Sequence, residues 1–92
     1  MRKKIRLEIR FSGMVQGVGF RWRARMSAQR LGLTGWVRNL WDGSVLMEIQ
    51  GDEASIDRML AEIVSGSFIH VERMERKELP LCEEENAFRV NM

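Results

Sequence analysis

Along residues 4–11 apolar and charged side chains alternate without a break. Ile5, Leu7, Ile9 and Phe11 share one face, and Lys4, Arg6, Glu8 and Arg10 the other. A period of two describes a strand with one face buried. From Phe20 the spacing lengthens. Phe20, Ala24, Ala28 and Leu31 fall near one side of a helix, which Gly32 is placed to end, with Arg30 a favourable cation in its last turn. Gly35 to Asn39 predicts a short strand, Asp42-Gly43 a hairpin turn, and Ser44 to Gln50 a returning strand with Val45, Met47 and Ile49 on one face. Asp52 can cap a second helix, in which Ile56, Met59, Leu60, Ile63 and Val64 keep the i, i+3, i+4, i+7, i+8 rule. Residues 69–77 predict a strand whose muddled alternation implies a bulge. Residues 78–86, with Pro80 and Glu83-Glu84-Glu85, read as an acidic surface loop, and Phe88 and Val90 as a brief closing strand.

Two helices with one apolar face each can cover the same side of one sheet. The order of elements therefore predicts an α+β fold: a ferredoxin-like split βαβ sandwich, mainly antiparallel, with both helices on one face. In that arrangement the third strand lies between the first and second, and the first crossover is right-handed. The first two strands then run parallel and end at the same edge. Asn39, closing the second, faces the loop that leaves the first.

Residues 1–92 make a single domain, long enough for a two-layer core without staples. No apolar run approaches the ~20 residues needed to span a bilayer, and no membrane partner is expected. The basic start Met1-Arg2-Lys3-Lys4 leads into an alternating segment, which argues against a signal peptide. Cys82 is the only cysteine, so no intrachain disulfide can form and a cytoplasmic location is expected. Charge is unevenly spread. Residues 1–38 hold ten Lys/Arg against the single acid Glu8, whereas 39–92 hold five basic residues against twelve acidic ones. The basic half favours an anionic ligand.

That half also contains Gly13-Met14-Val15-Gln16-Gly17-Val18-Gly19-Phe20-Arg21, which joins the first strand to the first helix. A glycine loop exposes backbone N–H groups, a helix N-terminus adds its own, and Arg21 sets a fixed cation at the rim: a cradle for a tetrahedral anion. It is not a dinucleotide fingerprint, because Trp22 stands where the third glycine belongs, nor a Walker A loop, because no Gly-Lys-Ser/Thr follows. No His, Cys and carboxylate cluster has metal-ligand spacing, so neither metal nor cofactor is expected. His70 and Cys82, each the only one of its kind, read as surface or packing residues. Phosphoryl transfer needs mainly positioning and charge stabilisation. With no acid to protonate a leaving alkoxide, the site suits a leaving group of pKa roughly 4, a carboxylate. Asn39, a neutral donor and acceptor, could hold a water in line with phosphorus. The plainer readings are a tight strand-to-helix connection, a solvated Arg21 and a strand-end Asn39. Their joint placement at one edge in the basic half weighs against them. Trp22, Trp36 and Trp41 are read as packing residues rather than base-stacking platforms.

The glycine segment resembles the first acylphosphatase signature, and Gly35-Trp36-Val37-Arg38-Asn39 with Asp42-Gly43-Ser44-Val45 resembles the second. Leu31-Gly32-Leu33 and the Phe88-Arg89-Val90 ending extend the resemblance over essentially the whole chain. Met14 departs from it, standing where a basic or polar residue is common, and so does the Asn91-Met92 end in place of an aromatic. The resemblance implies metal-free hydrolysis of acyl phosphates to carboxylate and orthophosphate. It makes Arg21 the phosphate-binding arginine, Asn39 the residue that orients water, and Val15, Gln16, Gly17, Val18, Gly19 and Phe20 the amide cradle. The expected partner is a small acyl phosphate, with orthophosphate as product and competitive inhibitor, and the chain acts as a monomer. Similar modules begin hydrogenase-maturation carbamoyltransferases, where carbamoyl phosphate would be the substrate. The lack of zinc-finger cysteines favours a stand-alone enzyme. RNA-recognition modules share the topology, but the third strand has no aromatic and Phe11 belongs to the helix-facing set, so no nucleic-acid partner is expected.

Overall fold

The computed structural model describes residues 3–91; Arg2 of the basic start and the terminal Met92 lie outside the described residues. Seven elements follow in order: β1 (Lys4–Met14), α1 (Phe20–Leu31), β2 (Thr34–Asn39), β3 (Val45–Asp52), α2 (Glu53–Val64), β4 (His70–Leu79) and β5 (Phe88–Val90). The sheet order is β4-β1-β3-β2-β5, antiparallel except for the β2–β5 pair. The expected ferredoxin-like α+β fold is the one observed, with β3 between β1 and β2.

The core forms between the helices and one face of the sheet. Ile5, Leu7, Ile9 and Phe11 of β1 and Val45, Met47 and Ile49 of β3 are all buried, as the alternation requires. They pack with Phe20, Ala24 and Ala28 of α1 and Ile56, Met59, Leu60 and Ile63 of α2. Val64, included in the apolar face of α2 by its spacing, is instead exposed at the end of the last turn. Gly32 ends α1 in the left-handed region (φ 70°), and the Leu33 N–H donates back to the Ala28 carbonyl at 2.8 Å. Asp52 occupies the N-cap position of α2, but its side chain caps no backbone N–H; it accepts from the Ser55 hydroxyl at 3.4 Å. A charge cluster ties the helices together, with Arg30 and the Ser27 hydroxyl both donating to the Glu62 carboxylate. These contacts hold Glu62 below the usual carboxylate range, the Arg30 hydrogen bond contributing most.

β1 runs three residues beyond the predicted end because β4 continues to pair with it, Met14 opposite His70. The bulge expected in 69–77 is present: Ser12 pairs with Arg73 and Gly13 with Val71, leaving Glu72 as the extra residue.

The acidic segment after β4 is more than a surface loop. β4 extends to Leu79, and the chain then crosses the sheet face that carries no helix. There the Cys82 N–H donates to Gln50 Oε1 at 2.7 Å, and Gln50 Nε2 donates to the Cys82 carbonyl at 2.9 Å. Glu85 accepts from both terminal nitrogens of Arg6, at 2.8 and 3.1 Å, while Glu48 accepts from Arg6 Nε and NH2 at 3.0 and 2.9 Å. Arg6 is thereby only 5% exposed despite lying on the polar face of β1. Buried guanidinium groups demand such partners. The Glu85 hydrogen bond, opposed by burial and assisted by Glu48, raises the Arg6 pKa further above its ordinary value. For Glu85, burial acts to raise the pKa. Hydrogen bonds from Arg6 and Thr34 and the charges of Arg6 and Arg89 outweigh it and hold the carboxyl below its ordinary value of 4.5.

A carboxylate with a depressed folded pKa stabilises the fold above its unfolded pKa, and that contribution is lost as pH falls through the lower folded value. The wild type should therefore lose stability below about pH 4.5. Glu85→Gln should be less stable at neutral pH by about 1–3 kcal/mol, the scale of a hydrogen bond to a charged group. Its urea-unfolding free energy should also fall less steeply between pH 5 and 3, and identical slopes would remove the pairing's role.

Candidate functional site

The loop 15–19 leaves β1 and enters α1 through Gly19. Gly17 and Gly19 take φ values of 71° and 81°, while among the described residues no non-glycine has positive φ. A Cβ at either glycine would meet nothing within 4 Å, so conformation rather than space requires glycine there. Turns built with left-handed residues are the kind of backbone that presents successive N–H groups to an anion. At the helix itself no side chain caps the first turn, and no acid stands in it. The first intrahelical bond runs from the Arg23 N–H to the Gly19 carbonyl at 3.0 Å, so the N–H groups before it have no intrahelical acceptor.

An aromatic contact and a polar clamp hold that turn in place. Phe20, the first residue of α1, meets Phe11 of β1 edge-on, with ring centroids 4.8 Å apart. Both rings are buried, as is Val15 between them in sequence. A polar clamp completes the frame. Gln16 Nε2 donates to the carbonyls of Leu40 and Ser44, at 2.7 and 2.8 Å. These carbonyls belong to the β2–β3 turn, closed by Leu40 N–H to Ser44 carbonyl at 2.8 Å. Asp42 accepts from the Ser44 N–H and hydroxyl at 3.0 and 2.6 Å and pairs with Arg10. The Ser44 contacts, ahead of Arg10, hold the Asp42 carboxyl below its ordinary range. The turn that follows Asn39 is thus fastened to the loop that precedes Arg21.

Between them lies a cavity of about 180 Å³ lined by Val15, Gly17, Gly19, Phe20, Arg21, Trp22 and Asn39. Of the expected site residues, Gln16 and Val18 do not line it. Gln16 serves as the clamp, and Val18 packs partly buried against the core. Arg21 forms no salt bridge among the described residues. Asn39 Oδ1 is buried without a protein hydrogen-bond partner, the one such side-chain atom among the described residues. No carboxylate, histidine or cysteine lines the cavity. His70 and Cys82 are exposed at the surface.

The tryptophans depart from the packing role expected of them. Trp41 is 98% exposed at the tip of the turn, and Trp22 is 68% exposed beside the cavity. Only Trp36 is partly covered, by the Arg38 guanidinium 5.5 Å from its ring centre. Helical spacing carried the signal for Trp22: at 100° per residue, position 22 falls on the side of α1 opposite Phe20, Ala24, Ala28 and Leu31.

A comparison with known families matches residues 7–90 to the acylphosphatase family model. The chain belongs to the acylphosphatase family. An acylphosphatase of Clostridium perfringens strain 13 is 45% identical over 85 residues, spanning 91% of this chain and 96% of its own. The crystal structure of acylphosphatase from Bacillus subtilis superposes with a TM-score of 0.87 at 30% identity, covering 96% of this chain and 99% of that one. HypF of T. kodakarensis has a similar domain, with a TM-score of 0.81 and 27% identity over 98% of this chain but only 12% of its own.

Replacing Gln16 by Ala removes both bonds of the clamp. Stability should fall by about 1–3 kcal/mol, and amide exchange of residues 40–44 should speed up. Unchanged exchange there would show that the loop and the turn hold their positions independently.

Proposed function

We propose that this acylphosphatase-family chain hydrolyses acyl phosphates to a carboxylate and orthophosphate. The observation that carries the reading is the convergence of Arg21, Asn39 and the glycine loop on one cavity at an uncapped helix N-terminus. Backbone N–H groups of the loop 15–20, together with Arg21, bind the three equatorial phosphoryl oxygens. Charge on those oxygens is what a phosphoryl-transfer site must stabilise. Arg21 supplies a guanidinium with no carboxylate competing for it, suited to paired contacts.

Asn39 orients the attacking water. Its amide oxygen, which no protein donor satisfies, is left to accept from a group that the protein does not supply. The water oxygen attacks phosphorus from the Asn39 side while the bond from phosphorus to the acyl oxygen breaks on the other. The acyl oxygen leaves with the bonding pair as a carboxylate, and one proton of the water passes to a phosphoryl oxygen while the other stays on the attacking oxygen, giving dihydrogen phosphate. A carboxylate of pKa roughly 4 needs no acid to leave, which fits a cavity wall without carboxylate, histidine or cysteine. We assign no metal or cofactor to this step and a cytoplasmic setting to the chain.

Hydrolysis of benzoyl phosphate in excess chelator, with and without added orthophosphate, tests the reading. Turnover insensitive to chelator and inhibited competitively by phosphate is expected; folded protein without turnover would sink it. Asn39→Ala should lose on the order of 10²–10³ in kcat while keeping phosphate affinity, the cost of removing a positioned polar group. Arg21→Ala should weaken phosphate binding and turnover together. Phosphate binding unchanged in Arg21→Ala would remove the arginine from the cradle.

A further inference from the structure

We propose that the acyl group of the substrate is seated in a second cavity, between Trp22 and Phe68, and that this cavity makes the enzyme favour apolar and aromatic acyl phosphates. The proposal rests on the acyl phosphate reading of the first cavity. The second has a volume of about 210 Å³ and adjoins the first, Gly19 and Trp22 lining both. Its remaining walls come from Val18 and Arg23 on one side and from Gly66, Ser67, Phe68 and Ile69, before β4, on the other.

The position suits the chemistry. In-line displacement needs the leaving group on the face of phosphorus opposite the water. Asn39 lines the first cavity but not the second, so an acyl group reaching from phosphorus into the second cavity leads away from the water-orienting residue. Two large aromatic side chains distinguish it. Trp22 and Phe68 are 68% and 78% exposed, from elements far apart in sequence, yet both border the same cavity. Apolar surface left open in this way gains most from an apolar ligand, and aromatic side chains suit a planar ring. The floor is fixed. Ile69 is buried, and Arg23 NH1 donates to the Glu62 carbonyl at 3.3 Å, holding the guanidinium against α2.

Another cavity borders Trp22 on its far side, lined by Arg21, Arg25 and Val90. It offers a single aromatic wall and two cations, and would draw an acyl group carrying its own negative charge. The two directions are separable, because Phe68 borders one and Arg25 the other.

The test compares kcat/KM for benzoyl phosphate with that for acetyl phosphate in the wild type, Phe68→Ala, Phe68→Leu and Arg25→Ala. Phe68 is exposed, so its truncation leaves the core intact. The benzoyl-to-acetyl ratio should fall about tenfold in Phe68→Ala, mainly through KM, and should recover in part in Phe68→Leu. It should be unmoved in Arg25→Ala. An unchanged ratio in Phe68→Ala, or a fall in Arg25→Ala alone, would overturn the proposal. So would a wild type that cleaves acetyl phosphate with no preference for benzoyl, although the acyl phosphate reading would then stand. A wild type that cleaves neither acyl phosphate would defeat that reading and the acyl cavity with it.

Discussion

The edge-on contact between Phe11 and Phe20 is the constraint on which the site depends. One ring sits near the end of β1 and the other opens α1, so their packing fixes both flanks of the glycine loop. Burying an aromatic ring in this way is worth about 2–3 kcal/mol. Within the loop Val15 and Val18 also pack on the core, whereas Gly17 and Gly19 carry no side chains to pack. The loop is held by these contacts, and its N–H groups stay open to a ligand.

The polar side of the sheet does the complementary work. Gln16 fastens the loop to the β2–β3 turn, and Asp42, Ser44 and Arg10 keep that turn closed. Farther along the same face, Arg6 gathers Glu48, Gln50 and Glu85 beneath the segment that follows β4. A buried guanidinium is costly unless every donor has a partner, so this cluster specifies one path for residues 80–87. The apolar face thus sets the architecture, and the polar face sets where the loops lie upon it.

Around the cavity, restraint in side-chain chemistry has a consequence for selectivity. Beside Val15, Phe20 and Trp22, its wall presents backbone, one arginine and one amide. In the proposed reaction these polar groups meet the phosphoryl group, so discrimination among acyl groups falls to whatever borders the cavity. Trp22 borders the first cavity and two others.

Much of this was legible in the sequence. Periods of two and 3.6 marked β1, β3 and both helices, because one buried face is all that each element needs. Asp42-Gly43 marked the turn, and the glycines before Arg21 marked a backbone in the left-handed region. The order of elements already brought Asn39 and Arg21 to one edge. What it could not supply were contacts whose partners have no local pattern. Gln16 is 24 and 28 residues from the carbonyls it clamps, and Arg6 is 79 from Glu85. Neither pairing leaves a periodic trace, so the segment 78–86 read as a free acidic loop. Trp22 and Phe68 border one cavity only because α1 and the α2–β4 connection end side by side. Local hydrophobic period determines which residues turn inward; which polar and aromatic groups then meet is decided by packing between distant segments, and that exists only once the sheet has formed.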